Sequence, residues 1–305
     1  LVRALVIGGS GYVGRAILAR LGAARGIGTW HRHAVEGLRQ FDAAAGLRTL
    51  LRDLPNDMSH VFVPYGLINP EACARDPVAT AKVNVDGVVR LLEDAFAAGL
   101  KPIFVSTDYV YDGTRGMRTE DEPQSPNTEY GRQKAAVERW LQARPEPWLI
   151  ARLSKVVSGD TATHSVLGQW VNDIRAGTPM RSATDQVFSP AHVDDIAGAL
   201  VALAEADLTG IYHVAGPAPL SRYDLNVMLV DAVRAADPGL SPAVEPCSLR
   251  DIPFLERRPL DTSLSVAKLR GATGSPFRSM AQACREVAAM HFGGTSRSRA
   301  GAAAR

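Results

Sequence analysis

The chain has 305 residues, 46% of them apolar and 22% charged, with a net charge of +2. That length supports a sizeable core in one large or two modest domains, and the composition is that of a soluble globular protein. So small a charge argues against a nucleic acid or an acidic membrane surface as partner.

The opening run, Val2–Ile7, is too short for a helix and suits a buried parallel strand. It leads into Gly8-Gly9-Ser10-Gly11-Tyr12-Val13-Gly14, after which 12–24 reads as a helix with Val13, Ile17, Leu18 and Leu21 on one face. A strand, a glycine turn and a helix in that order form a pyrophosphate cradle. The first glycine permits the sharp turn, the second lets backbone approach the phosphates, and the third lets helix pack on strand. The phosphates would lie at the helix N-terminus. A ligand-free turn is the competing reading.

A second strand, Ile27–Trp30, ends in His31-Arg32-His33, and the first acid after it is Glu36. Dinucleotide sites that take NAD place a carboxylate at this strand end to bond the ribose hydroxyl. Here three basic side chains stand instead, which favours NADP(H) over NAD(H). Strand His60–Val63 follows, then one long helix over 79–98, strand Pro102–Ser106 and strand Trp148–Ser154. Alternation of this kind predicts a parallel sheet covered by helices on both faces.

Beyond residue 155 the alternation weakens. Helices are expected over 166–176, 194–206 and 221–235, and a strand over Gly210–Val214. The stretch 238–259 is too rich in proline and turn residues for regular structure. Asp194 and Asp195 read as helix caps, and Ser221 with Asp224 has capping-box spacing. The stretch 293–305 has no apolar face and reads as a disordered tail.

Cys73, Cys247 and Cys284 have neither CxxC nor metal-ligand spacing, so they read as buried free thiols, and no metal site is expected. The apolar run at the start is shorter than a secretory core, and no window reaches a membrane span. A cytoplasmic location is therefore the expectation.

Tyr130 and Lys134 share one face of a helix that Asn127-Thr128-Glu129 would open after Pro126. An ammonium so placed would lower the phenol's pKa and let it exchange a proton with a carbonyl oxygen. The pair follows a strand ending in Ser106-Thr107-Asp108, and the carboxyl ends of strands in an open parallel sheet are where ligands bind.

The ordered set GGSGYVG, STDYVYDG and SPNTEYGRQK resembles the extended short-chain dehydrogenase/reductase superfamily. More narrowly it is similar to the dTDP-4-dehydrorhamnose reductases. The likeness continues through Arg152, Ser189-Pro190, His192 to Asp195, the run GIYHVAGPAPLSRYDL and Arg258 to Leu264, covering about residues 1–290.

The resemblance implies a Rossmann-type doubly wound α/β fold. Residues 1–155, with 185–215 returning, would form the cofactor domain; 156–184 and 216–290 would form a smaller C-terminal α/β substrate-binding lobe. It implies Thr107, Tyr130 and Lys134 as catalytic, with Tyr130 the proton donor, Thr107 orienting the carbonyl and Lys134 holding the nicotinamide ribose. Asp108 would assist proton delivery, Asp42 would lie near the adenine, and Asn84 beneath the cofactor.

Two departures fall where the resemblance places substrate: Pro64 to Asn69 replaces an alanine-rich run, and Lys155 stands near a usual tryptophan. Tyr65 and Lys155 are accordingly expected to bind substrate, as is Arg258, which with Arg257 could pair with a nucleotide diphosphate or else form a solvated pair. The expected activity is NADP(H)-dependent reduction of a keto group on a nucleotide-linked deoxysugar or similar polar ketone, in a protein that can form a homodimer. The competing readings are an NAD-dependent sugar-nucleotide epimerase or dehydratase, and a non-catalytic NADP-binding regulator like the regulatory subunit of methionine adenosyltransferase.

Overall fold

A computed structural model describes residues 1–163 and 165–293, so all but the first residue of the tail expected over 293–305 lies outside the described residues. The chain opens with β1 (Ala4–Val6), α1 (Tyr12–Leu21), β2 (Gly26–Trp30), β3 (Arg39–Gln40), α2 (Arg48–Leu51) and β4 (His60–Val63). Then come α3 (Pro70–Arg75), α4 (Pro77–Ala81), a π-helical stretch (Lys82–Gly87), α5 (Val88–Ala97) and β5 (Lys101–Thr107). They are followed by α6 (Glu129–Gln142), β6 (Leu149–Leu153), β7 (Val156–Val157), α7 (Val166–Ala176) and β8 (Met180–Ala183). The rest comprises β9 (Val187–Phe188), β10 (Ala191–His192), α8 (Val193–Glu205), β11 (Gly210–Val214), β12 (Leu220–Ser221), α9 (Arg222–Ala236), β13 (Val244–Cys247), α10 (Ala267–Thr273) and α11 (Met280–Phe292).

Seven strands form one parallel sheet in the order β11-β6-β5-β4-β1-β2-β3. Because side chains alternate across a pleat, successive strand residues serve opposite cores. Ala4, Val6, Phe62, Ile103, Val105, Ala151 and Val214 pack with Ile17 of α1 and Leu200 of α8. Leu5, Val61, Val63, Phe104 and Ile150 pack with Leu91 and Leu92 of α5 and Val137 of α6 on the other face. This is a doubly wound α/β sheet of Rossmann type. Its order reverses between β1 and β4, so a crevice opens beyond their carboxyl ends.

A third core joins α7, α9 and α11 through Trp170, Val171, Leu229, Val233, Cys284 and Val287, flanked by the parallel pair β8–β13. Among the described residues no helix is long and apolar enough to cross a membrane. All three cysteines are buried and free.

Several sequence expectations need correction. The helix expected over 79–98 is interrupted by the π-helical stretch, which turns Asn84 inward. The stretch 238–259 does contain a strand, β13, formed because Val244 to Cys247 pair with Met180 to Ala183 rather than from local propensity. His192, not Asp194 or Asp195, is the N-cap of α8: its Nδ1 accepts from the Asp194 amide at 3.3 Å. Asp195 instead pairs with Arg278 at 3.0 Å. Ser221 does cap α9, accepting from the Asp224 amide.

Candidate active site

The glycine turn sits between β1 and α1. Gly8 has φ +88, open to a residue without Cβ, and a Cβ on Gly14 would overlap the Gly8 carbonyl oxygen. Helix and strand thus approach as closely as glycine allows. The amides of Gly8, Ser10 and Gly11 donate to Thr29 Oγ1, the Thr29 carbonyl and the Gly8 carbonyl at 3.0, 2.9 and 2.9 Å, so these residues shape the turn. No side chain caps α1, whose N-cap is Gly11. Its opening amides, from Tyr12 and Val13 onward, and the positive end of its dipole suit an anionic diphosphate. The residues present therefore fit a dinucleotide. The Tyr12 phenol is directed toward Ser158 and Ser165, and burial pushes its pKa up to about 12.

At the end of β2, His31, Arg32 and His33 are exposed. Asp42, however, comes within 3.9 Å of His31, so a carboxylate does stand beside the basic run. The sequence hid it because the chain loops through β3 before returning. Tyr65 is likewise not grouped with Lys155. Its backbone lies against Gly8 and its ring packs with the core beneath β1 and β4, where burial and then Asp42 raise its pKa. The residues after β4 lie at the sheet's switch point, which puts Tyr65 on the glycine-turn side.

Asn84 ties that loop to α6. Its Oδ1 accepts from the Leu67 amide at 2.7 Å, and its Nδ2 donates to the Leu67 carbonyl at 3.0 Å and Gln133 Oε1 at 2.8 Å.

Thr107, Asp108, Tyr130 and Lys134 converge at the carboxyl end of β5, where α6 starts with Thr128 as N-cap. The Thr107 hydroxyl donates to Asp108 Oδ1 at 3.1 Å and also reaches the Tyr130 phenol. Asp108 Oδ2 accepts from Ser154 at 3.1 Å and from Thr262 at 2.8 Å. Burial raises the Asp108 carboxyl above the usual carboxylate range, opposed by Thr262, Lys155, Ser154 and Thr107. Burial also raises Tyr130 well above an ordinary phenol. The expectation that Lys134 lowers the phenol's pKa is thus corrected. Desolvation dominates, and the Lys134 ammonium is turned to the Val105 carbonyl at 3.0 Å, over the Phe104 ring. Lys134 itself is pushed down to about 8 by burial, with Glu138 opposing.

Arg258 pairs with Glu71 at 2.5 Å and lies over the Phe254 ring. Lys155 extends over the ring of Phe188. Ser154 and Thr262, both bonded to Asp108, were not anticipated; hydroxyls on the neighbouring strand end and on a distant segment gave no local signal. Nor was the buried pair Arg152–Glu138 that anchors α6 to β6 at 2.7 Å.

Residues 2–291 match the family described as RmlD substrate binding domain. A dTDP-4-dehydrorhamnose reductase of Aggregatibacter actinomycetemcomitans is 30% identical over 290 residues, covering 90% of this chain and 94% of the relative. Methionine adenosyltransferase 2 subunit beta of Xenopus tropicalis is 28% identical over 301 residues, covering 90% and 85%. A crystal structure of dTDP-4-dehydrorhamnose reductase from Bacillus anthracis in complex with NADP superposes with a TM-score of 0.80 at 17% identity, covering 93% of this chain and 98% of that one.

Proposed function

The chain belongs to the RmlD substrate binding domain family, within the extended short-chain dehydrogenases/reductases, and from that premise we propose that it reduces a keto group of a nucleotide-linked deoxysugar or similar polar ketone with NADP(H). It is an NAD(P)-dependent oxidoreductase of the short-chain type. The observation that carries the finer reading is the hydroxyl path from Asp108 through Thr107 to Tyr130, with Lys134 one helical turn further along α6.

A bound nicotinamide cofactor would supply the hydride. Tyr130, kept protonated by its burial, gives its proton to the carbonyl oxygen, and Thr107 orients that oxygen. Asp108 and the hydroxyls of Ser154 and Thr262 hold the Thr107 proton network in one arrangement. Lys134 holds the ribose, its buried ammonium lying beside the carboxyl end of β5. The opening turn of α1 binds the diphosphate. Arg32 and His33, exposed and without an ion-pair partner among the described residues, favour the 2′-phosphate of NADP(H).

Tyr130→Phe tests this reading. NADPH oxidation with 4-keto sugar nucleotides should fall by roughly two to four orders of magnitude while NADPH affinity holds. An active Tyr130→Phe enzyme would overturn it. The relative named as a methionine adenosyltransferase subunit supports a second reading, a cofactor-binding subunit of another enzyme. Wild-type protein that binds NADPH yet turns over no member of a keto-sugar panel would favour that one.

A further inference from the structure

Two cations on the substrate side have no ion-pair partner among the described residues. Lys155 follows β6 and extends its ammonium over the Phe188 ring, 5.8 Å from the centroid. Arg222 opens α9 with its guanidinium 5.2 Å from the Trp170 centroid. The chain itself brings them together: Ser221 and Leu220 pair with Val187 and Phe188, and the Arg222 amide donates to the Gln186 carbonyl. Among the described residues, neither side chain donates a hydrogen bond or has a carboxylate at ion-pair distance. Their neighbour Arg258 differs, because Glu71 holds it. Lys155 is pushed down by burial and then by Arg222, and Arg222 is pushed down by burial. Asp108 favours the charged Lys155 from beyond ion-pair distance, and Tyr109, Cys247 and then Asp173 favour the charged Arg222.

Half-buried cations set against each other are costly unless a ligand brings the counter-charge. The location says what ligand. Lys155 is next in sequence to Ser154, which donates to Asp108, and Asp108 adjoins Thr107 and the Tyr130 phenol. In a sugar nucleotide the diphosphate hangs from the anomeric carbon, with the ring between it and a ketone on the far side. A group beside Asp108 therefore belongs to the sugar's reacting end.

We propose that Lys155 and Arg222 form an anion site for a carboxylate on the sugar, so that the substrate is an acidic keto sugar nucleotide. This rests on the nucleotide-sugar reading above and narrows it. The carboxylate takes no part in the reduction; it fixes which sugar enters and how it lies.

The test is calorimetric titration of the full chain, saturated with NADP+, with dTDP-glucuronate against dTDP-glucose and the same pair as UDP-sugars. The wild type is expected to bind the glucuronate roughly tenfold or more tighter, the worth of a charge-assisted hydrogen bond. Lys155→Met and Arg222→Met should each remove that preference, while Lys155→Arg keeps most of it. Equal affinity of the wild type for both sugars, or a loss in the Met variants shared equally by both probes, overturns the carboxylate site while the nucleotide-sugar reading stands. No binding of any of the four probes, with NADP+ still bound, overturns that reading and the site with it. Without nucleotide, Lys155→Met should melt no lower than wild type, because it relieves repulsion; a fall of several degrees would mark a structural lysine and overturn the proposal.

Discussion

Replacing Glu138 by alanine is the sharpest probe of what holds α6 in place. The carboxylate is fully buried, and it accepts from Arg152 Nε at 3.1 and 3.0 Å, Arg152 Nη2 at 2.7 Å, Ser106 Oγ at 2.5 Å and Gln124 Nε2 at 2.6 Å. Removing it strands a guanidinium that is itself fully buried and left only with the Tyr111 hydroxyl at 2.7 Å and a distant Glu120 carbonyl. His213 offers no relief, since burial and Arg152 hold its pKa down to about 3 and it stays neutral. Breaking a buried pair from one side costs about 3–5 kcal/mol. At roughly 2–3 °C per kcal/mol for a chain of this size, the melting temperature should fall by about 6–15 °C. Replacing both partners, Glu138→Leu with Arg152→Met, should recover roughly half of that, because no charge is then left buried. Thermal melts and urea titrations of Glu138→Leu, Arg152→Met and the double give the coupling directly. A Glu138→Ala cost below about 1 kcal/mol, or a double variant worse than the single by the full sum, would refute the reasoning.

Three further outcomes follow from the same geometry. Gly14→Ala should gain about 1 kcal/mol of helix propensity yet lose more to the overlap with the Gly8 carbonyl, for a net fall in stability of about 1–3 kcal/mol and weaker NADPH binding by fluorescence titration. Lys134 sits at about 8 in the folded chain against 10.5 when free. Below pH 8 both states are protonated and the folded form bears the full cost of a buried ammonium. Between about 8 and 10.5 only the unfolded chain keeps the proton, so stability should rise with pH by about 3 kcal/mol relative to Lys134→Met, at about 1.4 kcal/mol per pH unit. Urea midpoints of both proteins at about pH 7.5 and 10 sample most of that window, with about 2 kcal/mol of the rise between them, and check the sign. Changing Arg32 and His33 together to alanine should raise the KM for NADPH roughly tenfold and leave that for NADH nearly unchanged, as loss of charge-assisted phosphate bonds requires.

What could be read from the sequence divides along a physical line. Apolar runs such as His60–Val63 and helices such as Val166–Ala176 announce themselves because their own residues bury one stripe or both faces, and Gly177 in the left-handed region closes the latter. The sheet and its two flanking layers follow from such local signals. Features created by contact do not. β13 pairs with β8 far along the chain, and the π-helical stretch turns Asn84 onto Leu67 and Gln133. The candidate site shows the same split. Tyr130 and Lys134 share a helix face that spacing alone reveals, whereas Thr262 reaches Asp108 across more than half the chain. Tyr65, expected with the substrate residues, lies with Gly8 and Asp42 because the sheet's reversal between β1 and β4 decides which loops meet. Charge state is the least local quantity. Residue spacing puts an ammonium near a phenol, but the depth of the site determines that desolvation outweighs the pair attraction and leaves Tyr130 a proton donor. The same depth makes Lys155 and Arg222 informative. An exposed lysine and arginine would be ordinary surface, while two half-buried cations without an ion-pair partner among the described residues are what the proposed substrate carboxylate would answer.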